Sequence, residues 1–434
     1  MNTLIVLLAG LLPTYLIRFP LFGIPTNFFE VAVVTVFLVT MCVPKTRKQL
    51  ISSMRAIPMS FLVWMCLFLL AAIISTIYSP VLRSSLGVLK GWVVIPMFFG
   101  LLVYSVARTV VILHSLTLSG LVVALLGLSQ ADGFERIKSI YDVPNSLALF
   151  LVPVFVIASR LGIQKKDRFY QLSSLIMLIA IIYTQSFGAI IALVGTVVIG
   201  HVFVSWFPSP QLGRGILPRR REGEGWLGGM LYGLPSSVIR FAHVTFSPIG
   251  EKGNYYLLFF ILLIFFTLFF TFSGRIQYLI SPFTHPNTTN SATVRLQLWD
   301  IGIRLIQKHP ILGIGLGQFE PAYQAELHRR FAEKENGLIP EFVFRDPHNW
   351  ILSFWLNMGL LGSISFVGLN YLAIKGFTLS ERSESKGGGR DREHVYNQSI
   401  TLALISILIF GLFDTIYWKN DLSALWWMLL FLLR

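Results

Sequence analysis

Charge is what this sequence has least of. Asp, Glu, Lys and Arg make up 13% of the 434 residues, about half of the roughly one quarter usual in soluble domains. With 54% hydrophobic residues and a mean hydropathy of +0.69, that shortage excludes a string of soluble domains, and disorder equally. Cysteine is scarcer still. Cys42 and Cys66 lie in apolar runs and make neither a disulfide framework nor a metal site. Acidic residues are outnumbered, 21 against 35 basic ones, for a net charge of +14. In a soluble chain that excess would suggest nucleic acid; here it must first be divided between the two sides of a bilayer. Walker A, His-Glu-x-x-His and Gly-x-Ser-x-Gly sequences are also missing. ATP-driven transport and common hydrolase chemistry lose support accordingly.

Long apolar runs are what the sequence does have. A spanning helix takes about 20 mostly apolar residues, because hydrocarbon satisfies no free backbone amide. On that measure the chain reads as an all-α polytopic membrane protein of about twelve transmembrane helices. They centre near 3–17, 27–43, 59–78, 90–107, 109–128, 145–159, 171–184, 188–206, 255–273, 349–373, 398–414 and 421–433. The first has no basic leader and no small-residue cleavage site, so it reads as an uncleaved anchor. The layout divides into N-terminal transmembrane helices over 1–273, one large loop over 274–347 and C-terminal transmembrane helices over 348–434.

Basic residues assign the sides. Segments 44–58, 160–170, 207–254 and 375–397 share one face and hold nineteen Lys and Arg; Arg108 and Arg434 make twenty-one, against fourteen opposite. Both termini are then cytoplasmic, and the large loop is extracytoplasmic. Most of the positive excess is a topology signal. Within the loop, Val294, Leu298, Ile301 and Leu305 recur at helical spacing between Thr293 and Lys308, and a second polar helix is expected from Pro321 to about Glu335. Two helices lying at the membrane interface account for the pattern.

Several polar residues could carry chemistry. Gly313-Ile-Gly315-Leu-Gly317 imitates part of a dinucleotide fingerprint but follows no strand and lacks the third spaced glycine. A tight turn after His309-Pro310 is the better account. Asp346-Pro-His348-Asn349 stands where the loop re-enters the membrane. A neutral imidazole there can accept a hydroxyl proton, oriented by a nearby carboxylate; equally, the segment can be a turn whose His and Asn cap the next helix. Arg295 can grip phosphate oxygens with its planar fork or simply be solvated. Asp414, at the end of an expected span, can orient a base or face water.

Taken in order, these stretches resemble the O-antigen ligase and O-antigen polymerase family of bacterial envelope enzymes. The resemblance runs through Arg295-Leu-Gln-Leu-Trp299, His309-Pro-Ile-Leu-Gly313-Ile-Gly315-Leu-Gly317, and His348-Asn349 followed after nine residues by Gly359-Leu-Leu-Gly362. Upstream, Pro144-Asn145-Ser-Leu-Ala148 fits the start of a span, and downstream Gly411-Leu-Phe-Asp414 fits a late acidic position, so the likeness covers roughly 140–430.

It implies a GT-C-like fold and a metal-independent, inverting glycosyl transfer without cofactor, on the outer face of the cytoplasmic (inner) membrane. The donor would be an undecaprenyl-diphosphate-linked glycan. The acceptor would be lipid A-core for a ligase, or another lipid-linked glycan for a polymerase; the remaining partners would be membrane lipids, with no nucleic acid. His348 would be the general base, tuned by Asp346 or Asp414, and Arg295 would hold the diphosphate. One departure stands out. The family's second arginine, in a Ser-Arg-Gly type motif, is replaced by Ser186-Phe187-Gly188. Either Arg275 (in Ser273-Gly-Arg275) or Lys90 supplies that charge from elsewhere, or the donor is anchored differently, or this member is a less typical polymerase. The competing class, a transporter or glycan flippase, would place charges along the spans, whereas these spans are nearly charge-free.

Overall fold

The computed structural model describes residues 2–206, 291–333, 344–383 and 391–433, apart from residues 22, 107 and 134. The expected span at 255–273 and Arg275 lie outside the described residues.

Among the described residues, five helices are long and apolar enough to cross a membrane: Met59–Ile77, Leu82–Ser105, Thr109–Leu128, Pro144–Lys165 and Trp350–Lys375. Phe28–Cys42 and Pro44–Arg55 make a sixth if counted together, although they meet at 104°. The bend has a local cause: Val43 is extended and Pro44 opens the second helix, where a missing N–H costs nothing. That second helix carries Lys45, Arg47, Lys48 and Arg55. Arg168–Thr184, Phe187–Gly200 and Asn420–Leu432 are shorter apolar helices. The helix that contains Phe187 runs on to Trp206.

The N-terminal run differs from the span expected at 3–17. Its α-helix ends at Gly10 and gives way to a 3-10 turn at Leu12–Leu16. Pro13 stands in the first turn of that segment, where its ring and missing N–H stop an α-helix from continuing. A two-stranded antiparallel hairpin, Arg18–Leu21 with Ile24–Asn27, then leads to Asn27, whose side chain accepts the Glu30 N–H and caps the next helix.

Burial sorts the helices into inner and outer ones. Asn420–Leu432 has only 13 residues, and all but the first are buried. From Ala424 to Leu432 it is apolar all round, as a helix enclosed by others must be. Its Trp426 and Trp427 are fully enclosed, with Phe68, Phe366 and Phe431 ringing them at centroid distances of 4.9–6.1 Å. Thr109–Leu128 instead exposes Leu118, Val122, Leu125 and Leu126, an outer surface that suits hydrocarbon rather than water.

The two helices expected inside 274–347 are present at Ser291–Lys308 and Phe319–Ala332. Their apolar faces do not lie flat on an interface. Val294, Leu298, Ile301 and Leu305 pack on Phe319, Tyr323, Leu327 and Leu356, forming a small core separate from the main one. Glu326, 4% exposed, ties them together through Lys308 (2.5 Å) and is held on its own helix by Arg329 (2.6 Å).

The glycine-rich segment after His309-Pro310 is a turn, as its sequence suggests, and it serves the helix beside it. Trp350–Ser383 is broken at Gly359, whose backbone is non-helical at φ 68 and ψ −168. The turn inserts into this break: Ile314 N–H donates to Leu356 O (2.8 Å) and Leu360 N–H to Ile311 O (3.0 Å). Approach is so close that a Cβ on Gly359 would stand 2.1 Å from Ile311 O, and one on Gly313 2.4 Å from Leu356 O. Asn357 completes the clasp by accepting Gly317 N–H at 2.7 Å. The turn thus satisfies backbone groups that a kink would otherwise leave open.

Candidate active site

The break at Gly359 sets the direction of the half-helix that begins at Trp350, and His348 stands just before it. The segment 344–349 divides the two roles its sequence left open. Asn349 does the capping: its Oδ1 accepts Ile351 N–H (3.0 Å) and Leu352 N–H (3.2 Å). Asp346 makes the turn, accepting His348 N–H at 3.1 Å. His348 takes neither part. Its backbone is left-handed at φ 50, an uncommon conformation for a residue with a side chain. The Trp299 indole N–H holds Pro347 O at 3.0 Å, and Phe344 lies edge-on to the imidazole at 5.5 Å.

The imidazole faces Asp414. His348 Nδ1 is 2.9 Å from Asp414 Oδ1 and 3.9 Å from Asp346 Oδ1. The helix Asp391–Phe410 has already ended, so Asp414 sits in the connection beyond it. Trp350 N–H donates to Gly411 O (2.8 Å) and Asn349 Nδ2 to Leu412 O (3.1 Å), which binds this connection to the His348 segment. Asp414 is 4% exposed. Its Oδ1 also accepts Thr415 N–H (2.8 Å), and its Oδ2 accepts Asn145 Nδ2 (2.9 Å). Burial opposes ionisation of Asp414, but the adjoining His348 and Arg295 outweigh it and hold the carboxyl below its ordinary range. Burial likewise opposes a charged His348, yet Asp414 and Asp346 raise it above 6.5. Asp346, farther from the imidazole, is raised by burial.

Arg295, on Ser291–Lys308, donates Nε to Phe413 O at 3.0 Å, and its charge reaches both His348 and Asp414. Four residues singled out from sequence, His348, Asp346, Asp414 and Arg295, are therefore together. Lys90 is held elsewhere, paired with Glu30 (2.8 Å) and donating to Pro25 O. Phe187 does border the site, its ring packing on Phe413 at 6.4 Å.

Three further residues join the cluster. Asn145, quoted above only as part of a span-start motif, holds Asp414. Arg136 donates to Asn145 Oδ1 at 3.0 Å and to Thr184 O at 2.8 Å. Lys419 donates to Ser146 Oγ, and its charge reaches Asp346. Arg136 and Lys419 belong to short connections between apolar helices, and no sequence motif marks either of them. An imidazole hydrogen-bonded to a buried carboxylate through Nδ1 presents Nε2 as a proton acceptor. With a guanidinium alongside to balance a leaving anion, the cluster can deprotonate a hydroxyl and stabilise a departing phosphate.

Residues 172–367 match the family model described as O-Antigen ligase. The match takes in Arg295, the Gly313–Gly317 turn, His348 and the Gly359 break; Arg136, Asn145 and Asp414 lie outside it. No match was found among curated proteins.

Proposed function

We propose, from the membership of the O-antigen ligase and polymerase family that the match over residues 172–367 supports, that this membrane protein joins a glycan from a polyprenyl-diphosphate donor to an acceptor hydroxyl. The family implies glycosyltransferase activity of the ligase or polymerase type on lipid-linked glycans. Our reading goes further: an undecaprenyl-diphosphate donor, lipid A-core as acceptor, and chemistry on the outer face of the cytoplasmic membrane. The excess of cations in the segments assigned inside supports that orientation, with both termini cytoplasmic.

The observation that carries the reading is the 2.9 Å contact between His348 Nδ1 and Asp414 Oδ1 with Arg295 beside it. The acceptor oxygen attacks the anomeric carbon opposite the diphosphate. The carbon–oxygen bond to the diphosphate breaks, its electron pair leaves with the phosphate, and the new bond has inverted configuration. His348 Nε2 takes the hydroxyl proton, and Asp414 stabilises the imidazolium as it forms. Asp346 fixes the backbone turn that presents the ring. Arg295, its plane set by Phe413 O, binds diphosphate oxygens and offsets the charge developing there. Arg275 would add to this on the donor side.

The test is transfer by purified full-length protein from an undecaprenyl-diphosphate glycan to lipid A-core, or to a second lipid-linked glycan. Asparagine tolerates the left-handed backbone of position 348, so His348→Asn removes the base and spares the turn. It should slow transfer by about 10²–10⁴-fold; a wild-type rate would overturn the assignment. Product on lipid A-core identifies a ligase, and elongation of the lipid-linked glycan a polymerase. An absolute need for Mg²⁺ or Mn²⁺ would contradict a mechanism run by His348 and Arg295. A reporter inserted within 320–336 should be reached from the non-cytoplasmic side.

A further inference from the structure

Arg136 lies in the connection between Thr109–Leu128 and Pro144–Lys165, and this connection is firmly pinned. Ile137, 3% exposed, donates its N–H to Tyr183 O at 3.2 Å. Gln130 Nε2 donates to Ser139 O at 2.8 Å, and Ser139 Oγ to Val123 O at 2.7 Å. Arg136 is exposed but does not hang free. Its Nε donates to Thr184 O (2.8 Å) and a terminal nitrogen to Asn145 Oδ1 (3.0 Å).

A guanidinium can only donate. It therefore keeps the carbonyl end of the Asn145 amide turned toward itself and the NH₂ end turned away. That NH₂ end donates to Asp414 Oδ2 at 2.9 Å. Among the described residues, no other side chain donates to that oxygen, while Asp414 Oδ1 serves His348 Nδ1 and Thr415 N–H. An Asn145 that swung aside would leave Oδ2 of a buried carboxylate without its donor, at a cost typical of an unsatisfied buried group. Asp346, Arg295 and Lys419 also act on this cluster, through charge or through His348's backbone, and none of them orients the Asn145 amide.

We propose that Arg136 is a positioning residue for the transfer: by fixing the orientation of Asn145, it holds Asp414 in the pose that aligns His348. Two of its donors are committed to protein carbonyls, and the one on Asn145 Oδ1 links it to Asp414. The proposal rests on the reading of His348 as the general base.

The test compares Arg136→Ala, Arg136→Lys, Asn145→Ala and the Arg136→Ala/Asn145→Ala double variant in the purified full-length transferase. Misaligning the base should lower kcat of Arg136→Ala by about 10- to 100-fold and leave KM for donor and acceptor unchanged. Residues acting in series couple, so the double variant should fall no further than Asn145→Ala. Lysine, a single point charge, cannot serve both carbonyl oxygens in the fork's geometry, and Arg136→Lys should stay slow. The site opens to solvent, so added guanidinium ion should restore Arg136→Ala and leave the double variant unchanged. If Arg136→Ala fails to fold, Arg136→Lys carries the same comparison. An unchanged kcat, a loss confined to donor KM, multiplicative losses in the double variant or full activity of Arg136→Lys would each overturn the proposal. Failure of the underlying reading shows separately, as a wild-type rate for His348→Asn.

Discussion

His348 Nδ1 and Asp414 Oδ1 meet at 2.9 Å across 66 positions of sequence, one at the start of a helix and the other just past the end of another. The contact occupies Nδ1 and leaves Nε2 for the proton transfer proposed for His348, and Asp414 favours the protonated ring.

A pH profile reads this directly. His348 accepts a proton only when neutral, so activity rises with pH through its pKa, which the two carboxylates hold above 6.5. Asp414→Asn removes the nearer negative charge. The rising limb should move to lower pH, while the plateau falls by roughly 10²–10⁴-fold as the imidazolium loses its counter-charge. Stability carries the matching sign. A His pKa raised on folding adds stability that is complete below 6.5 and disappears as pH climbs through the folded value. Melting temperature against pH should show that decline in the wild type and lose it in Asp414→Asn.

The clasp at the broken helix makes a packing prediction. A methyl on Gly359 would meet Ile311 O at 2.1 Å and Leu312 C at 2.8 Å, at a position whose φ of 68 already disfavours a side chain. Gly359→Ala should lose at least about 1–3 kcal/mol, seen as a lower melting temperature in detergent. Gly87, in the helix Leu82–Val88, has nothing within 4 Å of a built Cβ. There alanine should be neutral or should stabilise by up to about 1 kcal/mol.

Glu326 supplies a second pH-dependent signal, in the small core. Its carboxyl is lowered to about 2, first by hydrogen bonding to Arg329, against an opposing effect of burial, and then by Lys308. Stability from this cluster should be present above its ordinary value of 4.5 and be lost as pH falls toward about 2. Lys308 and Arg329 are nearly half exposed, so solvent screens the ion pairs. Glu326→Gln should therefore cost only on the order of 1 kcal/mol at neutral pH. A melting temperature of Glu326→Gln equal to that of the wild type at neutral pH would show that the pairs contribute nothing.

Local pattern made part of this legible. The spacing of Val294, Leu298, Ile301 and Leu305 marked the helix and its buried face, and all four are buried. His309-Pro310 and the following glycines marked a turn, but not its partner, because Gly359 and Gly313 lie on separate segments that meet only in three dimensions. Composition likewise could not separate an enclosed helix from a lipid-facing one: Asn420–Leu432 and Thr109–Leu128 are both apolar, and only packing distinguishes them. His348, Asp346, Asp414 and Arg295 stood out through the chemistry of their side chains and through the family resemblance that runs over Arg295-Leu-Gln-Leu-Trp299, His348-Asn349 and Gly411-Leu-Phe-Asp414. Arg136 and Lys419 did not, because neither belongs to a motif and their partners lie on other segments of the chain. The arginine expected at Phe187 is absent from that position, and the cation found nearby comes from a different connection, on the Thr184 carbonyl.

Arg295 offers the sharpest separation of charge from geometry. Its Nε is spent on Phe413 O, which fixes the guanidinium plane beside His348 and Asp414. Arg295→Lys keeps the charge but has only one nitrogen, which cannot hold the carbonyl and also meet two phosphate oxygens in a plane. If the fork grips the diphosphate as it departs, kcat should fall by about 10²–10³-fold in Arg295→Lys and no less in Arg295→Ala. Donor KM should change much less than kcat, because charge develops on the leaving phosphate only in the transition state. The measurement is the steady-state split between kcat and donor KM at saturating acceptor. Recovery of the wild-type kcat in Arg295→Lys would mean that a point charge suffices, and a rise in donor KM alone would place Arg295 in ground-state binding.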